Sequence, residues 1–269
     1  MTAEEHAGYP LDTSVSQPAR VYNYWLGGKD NFAADREYGE AVAKAFPTIR
    51  TAAIENRRFL HRAVAFLARD AGIRQFIDIG TGIPLSPNTH DIAQSIAPES
   101  RVVYVDNDKL VLVHARALMV GAPAGNTAYI DADVRNPDAI LRAPELRETL
   151  DLTQPVALVL FALLHFVPDG DDPYGLVGRL VDALAPGSYL AITHSTTDYW
   201  PDVFVQEIRD GKHGAFYPRS RSQFARFFDG LDLVEPGISP VTTWHPEERD
   251  APHAREDEVC MYGAIGVKR

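Results

Sequence analysis

The sequence holds one cysteine, Cys260, among 269 residues. A lone thiol cannot close an intramolecular disulfide or build a cysteine-based metal cage. Near the end of the chain it suits a small core side chain better than a nucleophile. Long hydrophobic runs are also missing. The longest, Val156 to Leu164, falls far short of the ~20 apolar residues of a membrane span. Met1 to Leu11 is polar and acidic and lacks the apolar stretch of a secretory signal. Basic residues are in deficit, with 26 Lys and Arg against 37 Asp and Glu and a formal net charge of −11. Such a surface repels phosphate backbones, so general nucleic-acid binding is not expected. There is no internal repeat. His90, His245 and His253 stand at no metal-ligand spacing, so no metal is assigned. With 45% hydrophobic and 23% charged residues, the composition describes a soluble, cytoplasmic globular chain of about one large domain.

Residues 1–19 read as a mobile lead. Two helical patterns follow, about Ala33 to Phe46 and Thr48 to Ala71. In the second, Leu60, Ala63, Val64 and Leu67 recur at helical spacing and Gly72 is the stop. From Arg74 short apolar runs alternate with helical segments. The predicted strands are Gln75–Ile79, Arg101–Asp106, Thr127–Asp131, Val156–Phe161 and Ser188–Thr193, with helices from Lys109 to Met119 and Tyr174 to Leu184. This alternation predicts a three-layer α/β/α sheet, mostly parallel and covered on both faces. Leu231–Val234 and Val259–Val267 are strand-like without a helix between them, so they should pair antiparallel. Residues 1–72 are then a lead and helical cap, and 73–269 the core, of one domain.

The strongest constellation is Asp78-Ile79-Gly80-Thr81-Gly82, followed by Val103-Tyr104-Val105-Asp106. Glycines after a first parallel strand let a ligand approach the backbone. An acidic residue ending the second strand can accept from both ribose hydroxyls. The dinucleotide fingerprint asks for a third glycine, but Leu85 stands there. Asp78, two residues before the first glycine, would oppose a diphosphate and favour a cation. A ligand with adenine, ribose and positive charge but no phosphate fits both facts, and S-adenosylmethionine (SAM) is such a ligand.

The segment Phe76 to Gly82 resembles motif I of class I SAM-dependent methyltransferases. Asp106 matches their acidic residue after strand two. Asp131-Ala132-Asp133 is similar to their segment after strand three, and Phe161 to Asp169 to the stretch that lines the methyl-transfer site. Ala19 to Phe32, with Asn56-Arg57 and Ser220-Arg221, resembles an actinobacterial SAM methyltransferase family long catalogued as a domain of unknown function, from about residue 18 onward. Pro84 departs from motif I, where many sequences carry a glycine. The resemblance implies that Asp78, Gly80, Thr81 and Gly82 face the amino-acid end of SAM. It places Asp106 and Asn107 at the ribose, Asp133 and Val134 at the adenine, and Phe161 and Ala162 beneath the methyl group.

His165 is the expected base, since imidazole titrates near neutrality, and Tyr24 is the second candidate. Tyr22 and Trp25 are expected to wall the site, where aromatic faces attract a sulfonium. Lys29, Asp30, Asn31, His194 and Tyr199 are expected to meet a small, aromatic acceptor. Arg57, Arg58 and Arg62 read as a solvated helix face, and Arg219 and Arg221 as surface ion pairs. Three alternatives stay open: a nicotinamide-dependent oxidoreductase, a non-catalytic SAM or nucleoside sensor, and a self-associating protein with the Tyr22–Trp25 cluster as its interface. Oligomeric state is not legible.

Overall fold

A computed structural model describes residues 12–118, 125–212, 214–245 and 254–269. The lead up to residue 11, the end of the helix expected to reach Met119, and His253 lie outside the described residues.

The predicted strands form as β1 (Gln75–Ile79), β2 (Arg101–Asp106), β3 (Asn126–Asp131), β4 (Ala157–Phe161) and β5 (Tyr189–Ser195). They pair in parallel in the order β3-β2-β1-β4-β5. β1 and β4 are buried at every residue because both faces are covered. Alternate side chains therefore go to two separate cores. Ile77, Ile79, Leu158, Leu160 and Ile192 join one cluster. Phe76, Ala157, Val159, Phe161 and Ala191 join the other.

The second face is covered by α3 (Ile49–Arg69) and α4 (Thr89–Ile96). Phe59, Leu60, Val64 and Leu67 of α3 belong to its core. Residue 72 therefore divides α3 from the sheet it covers. Ahead of α3 come α1 (Pro18–Trp25) and α2 (Ala33–Ala45). α3 leads through Gly72, whose φ of +68° only glycine adopts easily, into β1. It thus runs antiparallel to the strands, with its first turns over their carboxyl ends. The other face carries α6 (Pro137–Arg142), α7 (Pro144–Thr149), α8 (Pro173–Asp182) and α10 (Arg221–Ala225), while α5 (Lys109–Leu118) follows β2 and α9 (Asp202–Arg209) follows β5.

The late strands differ from the sequence reading. β6 is only Asp232–Leu233, and a second short strand, β7, is Ser239–Pro240. Val259 ends the helix α11 (Glu256–Val259), because Cys260 turns left-handed at φ +51° before β8 (Met261–Val267) begins. β8 lies between β5 and β6 and is antiparallel to β5, β6 and β7. Gly263 of β8 makes room for α3: a Cβ there would stand 2.5 Å from the Phe59 ring. No helix among the described residues is long and apolar enough to cross a membrane.

Candidate active site

Strand order reverses between β1 and β4, and open α/β sheets bind ligands in the crevice outside the strand ends at such a point. The predicted cofactor residues meet there. Gly80 and Gly82 have φ of +74° and +67°. The Gly80 N–H donates to Val105 O at 2.8 Å, tying the turn to β2. Thr81 turns its hydroxyl back onto Asp78 O at 3.0 Å. Asp106 accepts from the Gly82 and Asp108 N–H groups, both at 2.9 Å. The Asn107 amide donates to Asp133 at 2.8 Å, with Val134 buried beside it. Phe161 is buried at the end of β4, and Ala162 takes a strained left-handed φ of +52°. Its N–H donates to Thr193 Oγ1 at 2.9 Å. Next to it, Leu163 closes over Gly80, where a Cβ would come within 2.7 Å of its methyl.

Gly82 differs from Gly80 in having nothing within 4 Å of where a Cβ would stand. Gly82→Ala should therefore destabilise the ligand-free protein by only about 1 kcal/mol, through the left-handed backbone. On the expectation that Gly82 faces the amino-acid end of SAM, the added methyl should weaken SAM at least tenfold. Thermal melts and SAM titration on the same variant check both halves.

Asp78 is buried and accepts from Thr89 Oγ1 at 2.6 Å. Burial raises its pKa from the ordinary carboxylate value to about 6, against the opposing effects of the Thr89 hydroxyl and the Arg57 charge. Burial also raises that of Asp106. Arg57 is thus no solvated side chain. It donates through Nη2 to Leu85 O and, at 2.6 Å, to Pro87 O, holding the loop that contains Pro84. Burial lowers its pKa, partly countered by Tyr22 and Asp78. Arg57 is half-buried, and Arg62 is buried, donating to Trp244 O at 2.9 Å and to Val241 O. Arg58 matches the expectation better, being partly exposed and paired with Glu55 at 2.6 Å.

The base candidates sit elsewhere in the packing. His165 is buried among the rings of Phe166, His194 and Phe216. Its Nδ1 faces the Ser195 N–H at 3.4 Å. Burial, then the charges of His194 and Arg219, hold its pKa well below the usual histidine value. An imidazole so placed resists taking a proton, which does not fit a general base. His194 faces Arg219 Nη1 through Nε2 at 3.0 Å. Arginine only donates, so Nε2 accepts and Nδ1–H donates to Ser195 O at 2.7 Å. Both ring nitrogens are used, leaving none for an acceptor, and burial lowers its pKa to about 3. Tyr24 donates its hydroxyl to Glu40 on α2, which raises its pKa and also opposes a base role.

Arg219 corrects the reading as a surface ion pair. It is 2% exposed. It donates to Leu164 O at 3.0 Å, Val167 O at 2.9 Å and the exposed Asp169 at 2.7 Å. It clamps the segment after β4 to β5. Arg221 meets Ile238 O at 2.9 Å.

The residues expected to form a lid divide. Tyr22 reaches α3, where its hydroxyl donates to Ala53 O at 3.0 Å and accepts from Asn56 at 2.9 Å. Trp25 turns to α2 and donates to Gly39 O at 3.2 Å. Asn31 organises the glycine turn through Asn23 and Gly28, both at 2.9 Å. Asp30 lies 3.7 Å from His114, Lys29 is exposed, and Tyr199 donates to Glu256 at 3.0 Å. Arg20 pins α1 over the cradle, 3.5 Å from Asp108 and 3.9 Å from Asp35.

Sequence reasoning misread Arg57 and Arg219 and missed Thr89. Arg57 had a visible mark, since it falls at helical spacing with the buried Ala53, Leu60 and Val64. Thr89 and Arg219 had none, because their partners are remote in sequence.

A glycine turn between acidic strand ends at the switch point of a mostly parallel sheet defines a class I SAM-dependent methyltransferase, with SAM as methyl donor. The chain belongs to the S-adenosyl methyltransferase family, whose model matches residues 4–269. It is similar to a DUF574 family protein of Streptomyces avermitilis MA-4680, with 48% identity, 96% of this chain and 99% of that one covered, and a TM-score of 0.92. It is also similar to a Thermobifida fusca YX protein provisionally described as a methyltransferase, with 41% identity, 96% and 97% covered, and a TM-score of 0.88. Magnesium protoporphyrin IX methyltransferase of Synechocystis PCC 6803 shares the fold at 11% identity, 93% of each chain and a TM-score of 0.55. No curated protein matches.

Proposed function

We propose that the chain moves the methyl group of SAM to a small-molecule acceptor bound over the ends of β4 and β5, in the cytoplasm. The observation that carries this is the glycine turn itself. Asp78 and Asp106 flank it, and no helix starts there, since α4 begins only at Thr89. A diphosphate needs a helix N-terminus at that place, and two carboxylates would repel it.

When bound, SAM supplies a methyl carbon already activated by a positive sulfur. The chain's work is to orient the reactants and exclude water. Asp78 faces the amino-acid end, and Arg57 brings a positive charge near enough to act on Asp78. Arg57 Nε and Nη1 make no hydrogen bond among the described residues. Minus and plus together suit a zwitterion. Asp106 takes the ribose and Asp133 the adenine amino group. Phe161 and Ala162 form the floor, and Tyr22 and Tyr199 stand nearest the acceptor.

Isothermal titration tests the reading. SAM should bind the wild type at micromolar concentration, and Asp106→Ala should weaken it at least tenfold. No heat with SAM, together with a thermal shift from NAD, would count for a nicotinamide enzyme instead.

A further inference from the structure

Phe46, Tyr199, Trp200, Phe204 and Phe216 are half-buried rings that stay partly in water. They come from separate segments: the α2–α3 junction, the stretch after β5, and the loop between α9 and α10. Phe46, Tyr199, Trp200 and Phe204 line, with Thr48 and Asp257 among others, a cleft of about 370 Å³, at the lower end of ligand-pocket sizes. Trp200 meets Phe46 and Phe204 edge-on at 5.9 and 5.1 Å. A large ring left half in water forgoes part of its burial free energy. Such rings gathered in one patch with a polar rim mark a place where something binds.

The aromatic surface continues beyond the cleft. Trp200 also meets Phe216 at 6.0 Å. Phe216 in turn meets His165 at 5.3 Å and Phe166 at 6.3 Å. The loop that carries it is fastened there, because the Tyr217 N–H donates to His165 O at 2.7 Å. His165 and Phe166 belong to the stretch after β4 that resembles the methyl-transfer lining. A row of touching rings therefore runs from that stretch through Phe216 and Trp200 to Phe46.

Charge decides what the row can take. Asp257 stands on the cleft wall, and Glu256 accepts from the Tyr199 hydroxyl at 3.0 Å. Glu258 follows in the same turn of α11. Arg255 is the cation of that turn, with its guanidinium on Asp257 at 2.9 Å and its N–H on Glu258 at 2.8 Å. The balance is negative, so this wall repels an anion.

We propose that this row of rings is the acceptor's binding surface, that the acceptor is a flat aromatic compound without negative charge, and that Trp200 selects it. This rests on the methyltransferase reading above. Flat solutes stack on or abut aromatic rings in preferred geometries, and a puckered solute of equal size loses that part of the contact.

The test uses protein saturated with S-adenosylhomocysteine and three probes of one skeleton: 2-naphthol, decahydro-2-naphthol and 2-naphthoate. Calorimetry should show 2-naphthol binding at least tenfold more tightly than either of the others. Trp200→Leu should weaken 2-naphthol at least tenfold, and Trp200→Phe should restore most of the loss. S-adenosylhomocysteine affinity should stay within twofold in both. Phe46→Ala, on the α2–α3 side of the cleft, should weaken 2-naphthol as well and serves in place of Trp200→Leu if that variant does not fold. In the ternary complex, nuclear Overhauser effects should connect the naphthol ring with the methylene group beside the sulfur of S-adenosylhomocysteine. No saturable 2-naphthol binding, equal affinity for decahydro-2-naphthol or 2-naphthoate, or full affinity in the folded variants overturns the proposal. Binding without those Overhauser effects overturns the assignment of the row to the acceptor. If S-adenosylhomocysteine fails to bind the wild type, the methyltransferase reading falls first, and this assignment with it.

Discussion

SAM should bind roughly tenfold more tightly at pH 7 than at pH 5, with the change centred near pH 6. The cause is Asp78, whose pKa burial raises to about 6. Below that value the carboxyl is neutral and offers a cation little. Above it the group is a buried anion whose charge a positive ligand offsets. The ligand-free protein should show the opposite trend. Between about pH 4 and pH 6 the native state holds a proton that the unfolded chain has released, so stability falls as pH rises, by about 3 kcal/mol in all. Asp78→Asn should flatten both curves. It should also weaken SAM by about 10- to 100-fold at pH 7, the value of one charge-assisted hydrogen bond. Calorimetry and thermal melts at pH 5, 6 and 7 are sufficient. Equal SAM affinity at pH 5 and pH 7 in the wild type would remove Asp78 from the ligand's surroundings.

Arg219→Ala should destabilise the protein by about 3–5 kcal/mol, the range for breaking a buried network and leaving its acceptors unpaired. In a domain of this size that lowers Tm by about 10 °C. The ion pair is the smaller part, because Asp169 is exposed and such pairs contribute little. The larger part is Leu164 O, Val167 O and His194 Nε2, which lose their donor together. Arg219→Lys should recover less than half, since an ammonium cannot span the same fork of acceptors. Differential scanning calorimetry gives the value. A shift under 2 °C for the alanine variant would mean that Tyr174 and Phe227, which stack on the guanidinium, hold the segment without it.

Strands and the glycine turn were legible because their signals are local. A buried parallel strand is a short apolar run, and a turn needing positive φ shows its glycines. That Asp78, Asp106 and Asp133 stand close to strand ends was visible in the same way, because each lies at or beside the end of such a run. Charge was misread where it was buried or half-buried. Arg57, Arg62 and Arg219 serve carbonyls from distant segments, and no spacing in the chain announces a carbonyl. His165 and His194 were misjudged for the same reason. Their ring partners come from β5 and from residues 216–219, so the sequence showed two titratable rings and not the packing that keeps them neutral. The N-terminal aromatic cluster was visible, but only the fold shows Trp25 turning toward Gly39 and Tyr22 toward α3.

The position of β8 bears on how the chain comes together during synthesis. It is made after β5, β6 and β7, yet it is the strand that joins them. β6 and β7, two residues each, have no other strand partner among the described residues and must wait for it. This side of the sheet is thus assembled through contacts far apart along the chain, which form slowly. Until then the edge of β5 stands open to strands from other nascent chains.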